Sequence, residues 1–187
     1  MNAEQGAALA IVVCLVVVAL AAAAFLSSAP SNVATYAVPA SAVHASLGTT
    51  ASDGTIALRL NGISDTSNPA TSSVWIEFNR ESGVYNYSLT PPPASRYLVA
   101  NVTVTNVGHA KIPFSYGYFV LVARDGTAYY ANYAVCNTGC GAQALKNGTL
   151  NESFASTMYV LFSVPTVAQP AQLVYTAANP PLALSST

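Results

Sequence analysis

Cys136-Asn-Thr-Gly-Cys140 places two cysteines four positions apart. In an oxidising compartment such a pair closes a disulfide that pins its own loop. The ring is tiny, so the entropic gain is smaller than for a long-loop bridge. A pair of reduced thiols, or half of a metal site, are the alternatives. A structural zinc site needs about four ligands, and His44 and His109 are the only histidines. No metal and no cofactor are therefore expected. The third cysteine, Cys14, lies inside an apolar run and reads as a small packing or lipid-facing residue.

Asn86, Asn101, Asn147 and Asn151 each open an Asn-x-Ser/Thr sequon. In a host that glycosylates secreted proteins these are candidate glycan sites. Chance alone also generates sequons in a chain rich in Asn, Ser and Thr. Eleven tyrosines are present, and Tyr116, Tyr118, Tyr129, Tyr130 and Tyr133 crowd one region. They either fill the edge of a β core or form a contact face.

Catalytic patterns are missing from the sequence. Serines are abundant, yet no Gly-x-Ser-x-Gly elbow is present. Asp53, Asp65, Glu77, Glu81, Asp125 and Glu152 form no calcium-loop cluster. No Gly-rich phosphate loop occurs. The expectation is a non-enzymatic protein. Nucleic acid is also excluded as a partner. The net charge is −1, and the six Lys and Arg residues are scattered rather than clustered.

The elements that must position these residues follow from the hydropathy pattern of the 187-residue chain. Residues 1–6 are a short leader. Residues 7–26 hold no charged or polar side chain. As a helix they span about 30 Å, the thickness of a bilayer core. A retained transmembrane anchor is expected, with a cleaved signal peptide as the competing reading. The leader contains Glu4 but no Lys or Arg, so charge says little about orientation. A short leader before a long domain favours a single-pass protein of the cell membrane, with the C-terminal domain extracellular. Residues 27–52 are rich in Ser, Ala, Thr and Pro and read as a tether. Part of it, Val38 to Leu47, could lie along the domain.

Residues 53–178 show period-two alternation. Ile56, Leu58 and Leu60 share one face. So do Leu98, Ala100, Val102 and Val104, and likewise Met158, Val160, Phe162 and Val164. Val74–Phe78 and Val84–Leu89 are further strand candidates. Phe119–Ala123 is apolar on both faces, which suggests a central strand, and Asp125-Gly126 is a hairpin signal. The stretch Arg96–Tyr133 thus reads as the central sheet. Residues 179–187 are expected to form a flexible tail. Charged residues make up only 7%, against about 25% in an average soluble domain. Solubility must come from uncharged polar side chains. The predicted fold is all-β: an immunoglobulin-like antiparallel β-sandwich of about seven or eight strands, preceded by one N-terminal transmembrane helix. A small β-barrel is the alternative.

The order of segments resembles a family of telokin-like, immunoglobulin-like extracellular domains found in bacterial and archaeal membrane-anchored proteins. Gly54-Thr-Ile-Ala-Leu-Arg-Leu-Asn-Gly-Ile63 is similar to that family's opening strand. Tyr97 to Asn106 is similar to its strand ending in Thr-x-Asn. Phe119-Val-Leu121, Asp125-Gly126 and Tyr129 resemble its F-x-L…D-G-x-x-Y segment, and Phe162-Ser-Val164-Pro165 its closing F-x-V-P. The longer Ser64–Pro93 insertion and the Cys-containing loop depart from the pattern. The resemblance implies a scaffold and a location, and no catalytic residues.

The expected function is therefore cell-surface interaction or adhesion by a membrane-anchored domain with a protein or glycan partner. A type IV pilin-like subunit, with the apolar helix as assembly core in a homo-oligomer or filament, is the alternative. Its leader lacks the basic residue such subunits normally carry. A secreted enzyme, using His44 or His109 beside an acid, is the third reading.

Overall fold

The computed structural model describes residues 34–65, 91–136 and 148–187. The leader, the apolar run 7–26, the strand candidates Val74–Phe78 and Val84–Leu89, and Asn86, Cys140 and Asn147 lie outside the described residues. No helix among the described residues is long and apolar enough to cross a membrane.

Thirteen strands are present among the described residues. They are Ala34–Thr35 (β1), Val43–Ala45 (β2), Thr50–Ser52 (β3), Ile56–Asp65 (β4), Ser95–Asn106 (β5), Ile112–Phe114 (β6) and Phe119–Ala123 (β7). Thr127–Tyr130 (β8), Tyr133–Cys136 (β9), Gly148–Leu150 (β10), Ala155–Pro165 (β11), Pro170–Tyr175 (β12) and Leu182–Ser185 (β13) follow. Tyr116–Tyr118 forms a single 3-10 turn. A six-stranded sheet, ordered β1-β8-β7-β12-β13-β2, faces a five-stranded sheet ordered β3-β4-β5-β11-β9. A two-stranded ribbon joins β6 to β10. The fold is an all-β sandwich.

Alternation explains the backbone of this architecture. β5 and β11 pair antiparallel from Ala155–Thr105 to Pro165–Ser95. That register puts Leu98, Ala100, Val102 and Val104 on the same face as Met158, Val160, Phe162 and Val164, all buried. β4 adds Ile56, Leu58 and Leu60 to the same face. From the opposite sheet come Phe119, Leu121, Leu173, Leu182 and Leu184, so the main core lies between the sheets.

Arg96–Tyr133 does not form one sheet. β5 belongs to the five-stranded sheet, whereas β7 and β8 belong to the six-stranded one. The chain crosses between them through β6 and the 3-10 turn. Alternation reports which side chains face inward and is silent about which sheet a strand joins.

Residues 34–52 are not a tether. β1 pairs with β8 at one edge of the six-stranded sheet, and β2 pairs with β13 at the other. Between those edges Tyr36, Val38 and Ala42 pack on Val120, Val122, Ala128, Val174 and Ala183, the outward face of that sheet. Six strands about 4.8 Å apart span about 24 Å. The chain from Thr35 to Val43 reaches at most about 29 Å, so this strap has little slack.

Residues 179–187 are not a free tail either. β13 lies inside the six-stranded sheet, antiparallel to β12 and parallel to β2. Leu182 and Leu184 are fully buried in the main core. The strand count of seven or eight was low because β1, β2, β3, β6 and β10 have only two or three residues each. Runs of two or three residues are too short to show an alternation.

The minimal folding unit therefore begins near Asn32 rather than Asp53. A chain starting at Asn32 is expected to unfold in one cooperative thermal transition. A chain starting at Asp53 exposes the outer face of β7 and β12 and should lose that transition. Leu184→Ala should cost about 2–5 kcal/mol, as for other buried large-to-small changes, and denaturant titration would measure it.

Candidate functional site

One end of the sandwich is built from the loops that enter β4, leave β5, precede β7 and follow β12. Asp53 organises the first. Its Oδ1 accepts from the backbone N–H of Thr55 and of Ile56, both at 2.8 Å, and this Asx turn launches β4. Its Oδ2 accepts from Asn179 N–H at 3.2 Å, which ties the loop to the β12–β13 connection.

Asn106, the last residue of β5, is buried. Its Nδ2 donates to the carbonyls of Ala110 at 2.8 Å, Asn151 at 2.9 Å and Leu150 at 3.2 Å. Its Oδ1 accepts from Gly108 N–H at 3.0 Å. One carboxamide thus binds the outgoing loop to the strand end of β10. A buried polar group is tolerated when it is saturated in this way.

The 3-10 turn is capped by Ser115, whose side chain accepts from Gly117 N–H at 3.1 Å. The turn puts Tyr116 into the core and Tyr118 outside, 46% exposed. The Tyr118 carbonyl accepts from the backbone N–H and hydroxyl of Thr176, at 3.0 and 3.1 Å. The Tyr118 ring stands edge-on to Tyr175, with centroids 6.2 Å apart and planes at 89°. Tyr175 in turn stacks on Phe114 at 5.7 Å and contacts Phe119 at 4.9 Å.

Between these loops lies an open cleft of about 440 Å³. Asp53, Thr55, Ile112, Pro113, Tyr118 and Tyr175 are among its lining residues. Its size falls in the usual range for small-ligand sites, about 300–1,000 Å³. Burial pushes the Tyr175 hydroxyl well above its ordinary range, and the neighbouring Tyr118 and Asp53 push it further. A hydrogen bond with the Ser115 backbone opposes them.

The five clustered tyrosines do not share one face. Tyr116 and Tyr129 are buried, Tyr133 is half-buried, and Tyr118 and Tyr130 are exposed on opposite sides of β7 in sequence. Tyr116 and Tyr133 contact each other at 6.2 Å. Only Tyr118 joins the cleft. His44 is exposed on β2 and His109 is exposed in the loop after β5. Among the described residues no group of three or more His, Cys, Asp and Glu could hold a metal ion.

The two described sequons differ. Asn101 sits mid-strand, and a β-bulge in β4 between Leu60 and Gly62 places Asn61 against it. Asn61 Nδ2 donates to Asn101 Oδ1 at 2.9 Å and to Thr103 Oγ1 at 3.0 Å. Both sequon side chains are thereby engaged. Asn151 is exposed in the turn before β11. Cys136 ends β9 and is buried, with its Sγ 3.0 Å from Ser156 Oγ.

No motif in the sequence marks Asn106, Asp53 or Tyr175 as a site residue. The Thr-x-Asn ending of β5 is visible in the sequence, but its role is not, because two of the three carbonyls it gathers lie more than forty residues downstream.

Replacing Asn106 with Leu leaves several loop groups without their partner. The expected cost is about 2–4 kcal/mol, measurable by denaturant titration, while Tyr118→Ala should stay within about 0.5 kcal/mol. Alkaline pH provides a second check. The folded-state pKa of Tyr175 lies above its ordinary value of 10.0. Above that value the unfolded chain loses the Tyr175 proton first, so stability is complete below it and falls as pH rises. Tyr175→Phe should flatten this alkaline decline in melting temperature.

The fold has relatives. It is similar to a secreted protein from Mycobacterium tuberculosis, MPT63, with a TM-score of 0.50 and 13% identity over 79% of this chain and 99% of that one. A β-sandwich protein from Clostridium difficile aligns at TM-score 0.48 and 8% identity, over 81% of this chain and 99% of that chain. A Bacillus subtilis protein described as a lipoprotein aligns at TM-score 0.42 and 17% identity, over 68% of this chain; the alignment spans 33% of that longer chain. Among curated proteins none matches. The model of one family, DUF4352, a domain of unknown function, matches residues 46–183, and the chain belongs to that family.

Proposed function

We propose that the chain is a non-enzymatic, membrane-anchored extracellular binding module of the telokin-like, immunoglobulin-like type. In this reading residues 7–26 anchor it and the sandwich projects from the cell surface. The observation that carries the reading is the loop-end cleft with solvent-facing Tyr118 in its wall. Exposed aromatic side chains held rigidly at a cleft are frequent energetic centres of recognition. The low content of charged residues and the secreted nature of MPT63 support the location.

The same reading includes a Cys136–Cys140 disulfide. Cys136 is fixed at the end of β9 beside Ser156, and the second cysteine follows within the same loop. It also includes glycan attachment at Asn151, whose sequon is solvent-facing. Asn101 is a poor acceptor in the folded state because Asn61 holds its side chain.

Protease treatment of intact cells tests the location. The chain should fractionate with membranes, and its sandwich should be cut from intact cells; a chain protected until lysis would overturn the reading. Binding is tested by adding the full chain to envelope fractions. Tyr118→Ala should weaken retention roughly tenfold, as expected for a truncated aromatic anchor. Alkylation of unfolded, non-reduced protein should leave Cys136 and Cys140 unmodified. In a glycosylating host, mass spectrometry should find Asn151 occupied and Asn101 bare.

A further inference from the structure

This inference rests on the reading of the loop-end cleft as a binding site and names what the site takes. We propose that the cleft binds a small organic cation, a methylated ammonium group, with Tyr118 as its aromatic wall and Asp53 as its counter-charge.

Charge is the first argument. Asp53 is the one charged residue among those lining the cleft. No ion pair of Asp53 occurs among the described residues, where Arg96 pairs with Asp65 at the other end of the sandwich. Two backbone N–H groups occupy its Oδ1 and one occupies Oδ2. An ionised carboxylate offers about four acceptor positions, so Oδ2 retains one. Its field reaches across the cleft, since it opposes ionisation of the Tyr175 hydroxyl. An anionic ligand is disfavoured by the same charge.

The lining is the second argument. Ile56, Ile112, Pro113 and Ala178 give the cleft apolar walls. Polar side chains besides Asp53 are limited to Thr55, Tyr118 and Tyr175. A saccharide needs several convergent hydrogen-bond partners, and few are offered. A methylated ammonium needs apolar contact for its methyl groups, an aromatic face and a nearby negative charge. The Tyr118 ring supplies the face. It stands at 89° to Tyr175, and its backbone carbonyl is bound by Thr176, so the backbone that carries the ring is fixed before a ligand arrives. Pre-organisation of this kind lowers the cost of binding.

The test titrates the full chain with tetramethylammonium chloride and follows the tyrosine resonances by NMR. A saturable shift of the Tyr118 signals is expected, absent with sodium chloride at the same ionic strength. Tyr118→Phe should keep the response. Tyr118→Ala and Asp53→Asn should each weaken it at least tenfold, with melting curves confirming that both variants are folded. If Asp53→Asn fails to fold, Tyr118→Ala against Tyr118→Phe decides alone. The proposal is overturned if sodium chloride gives the same shift, if Tyr118→Ala binds undiminished, if folded Asp53→Asn binds undiminished, or if a neutral hexose saturates the site where tetramethylammonium does not. Should tetramethylammonium fail while Tyr118→Ala still lowers retention on envelopes, the cation assignment falls and the binding-module reading stands.

Discussion

β7 is apolar on both faces, and much of the molecule is arranged to cover it. Phe119, Leu121 and Ala123 point into the core between the sheets, while Val120 and Val122 point the other way. A strand of that kind cannot lie at a wet surface, because each large apolar side chain left exposed forgoes about 1.5–3 kcal/mol of burial. β8 and β12 flank it within the sheet. They leave the outward face open. The segment from Tyr36 to Ala42 closes that face. Its two ends are fixed by pairing at opposite edges of the same sheet. The strap and the two edge strands that hold it thus serve one doubly apolar strand.

That constraint also marks the boundary of what the sequence showed. The double apolarity of Phe119–Ala123 is legible as a central strand, and β7 lies inside the six-stranded sheet. What covers it was not legible, because Tyr-Ala-Val-Pro-Ala-Ser-Ala has the composition of a linker. Small side chains suit a segment lying flat on a sheet, and the same residues suit a disordered tether. Composition cannot separate the two. Leu182-Ala-Leu184 was likewise hidden by its position near the end of the chain and by the prolines before it. By contrast, the inward faces of β4, β5 and β11 were read correctly residue by residue. Long strands repeat the period-two signal often enough to fix their parity, whereas two- or three-residue strands do not.

The candidate site was less legible than the fold for a related reason. Tyrosine counts drew attention to residues 116–133, yet one 3-10 turn decides which rings meet solvent. Ser115 caps that turn, Tyr116 enters the core, and Tyr118 emerges. The periodicity of a strand would have placed both rings on the same side. The partners of Tyr118 come from Asp53 and Tyr175, distant in sequence and joined only when the loops converge. Their convergence depends on polar groups that no periodicity reveals: the Asp53 carboxylate and the Asn106 carboxamide.

Those two groups explain why this end can hold a shaped cleft. Loops at the mouth of a sandwich lack ladder hydrogen bonds, so their backbone groups must be satisfied otherwise. Asn106 gathers three carbonyls and one amide, and Asp53 gathers three amides. Between them they tie the loops around β4, β5, β10 and β13 to one another. The Tyr118 turn is attached separately, through Thr176 after β12. The cleft wall that carries the exposed ring therefore rests on the six-stranded sheet, whereas its carboxylate and its Ile56 rest on the five-stranded one. A site assembled across both sheets responds to their packing.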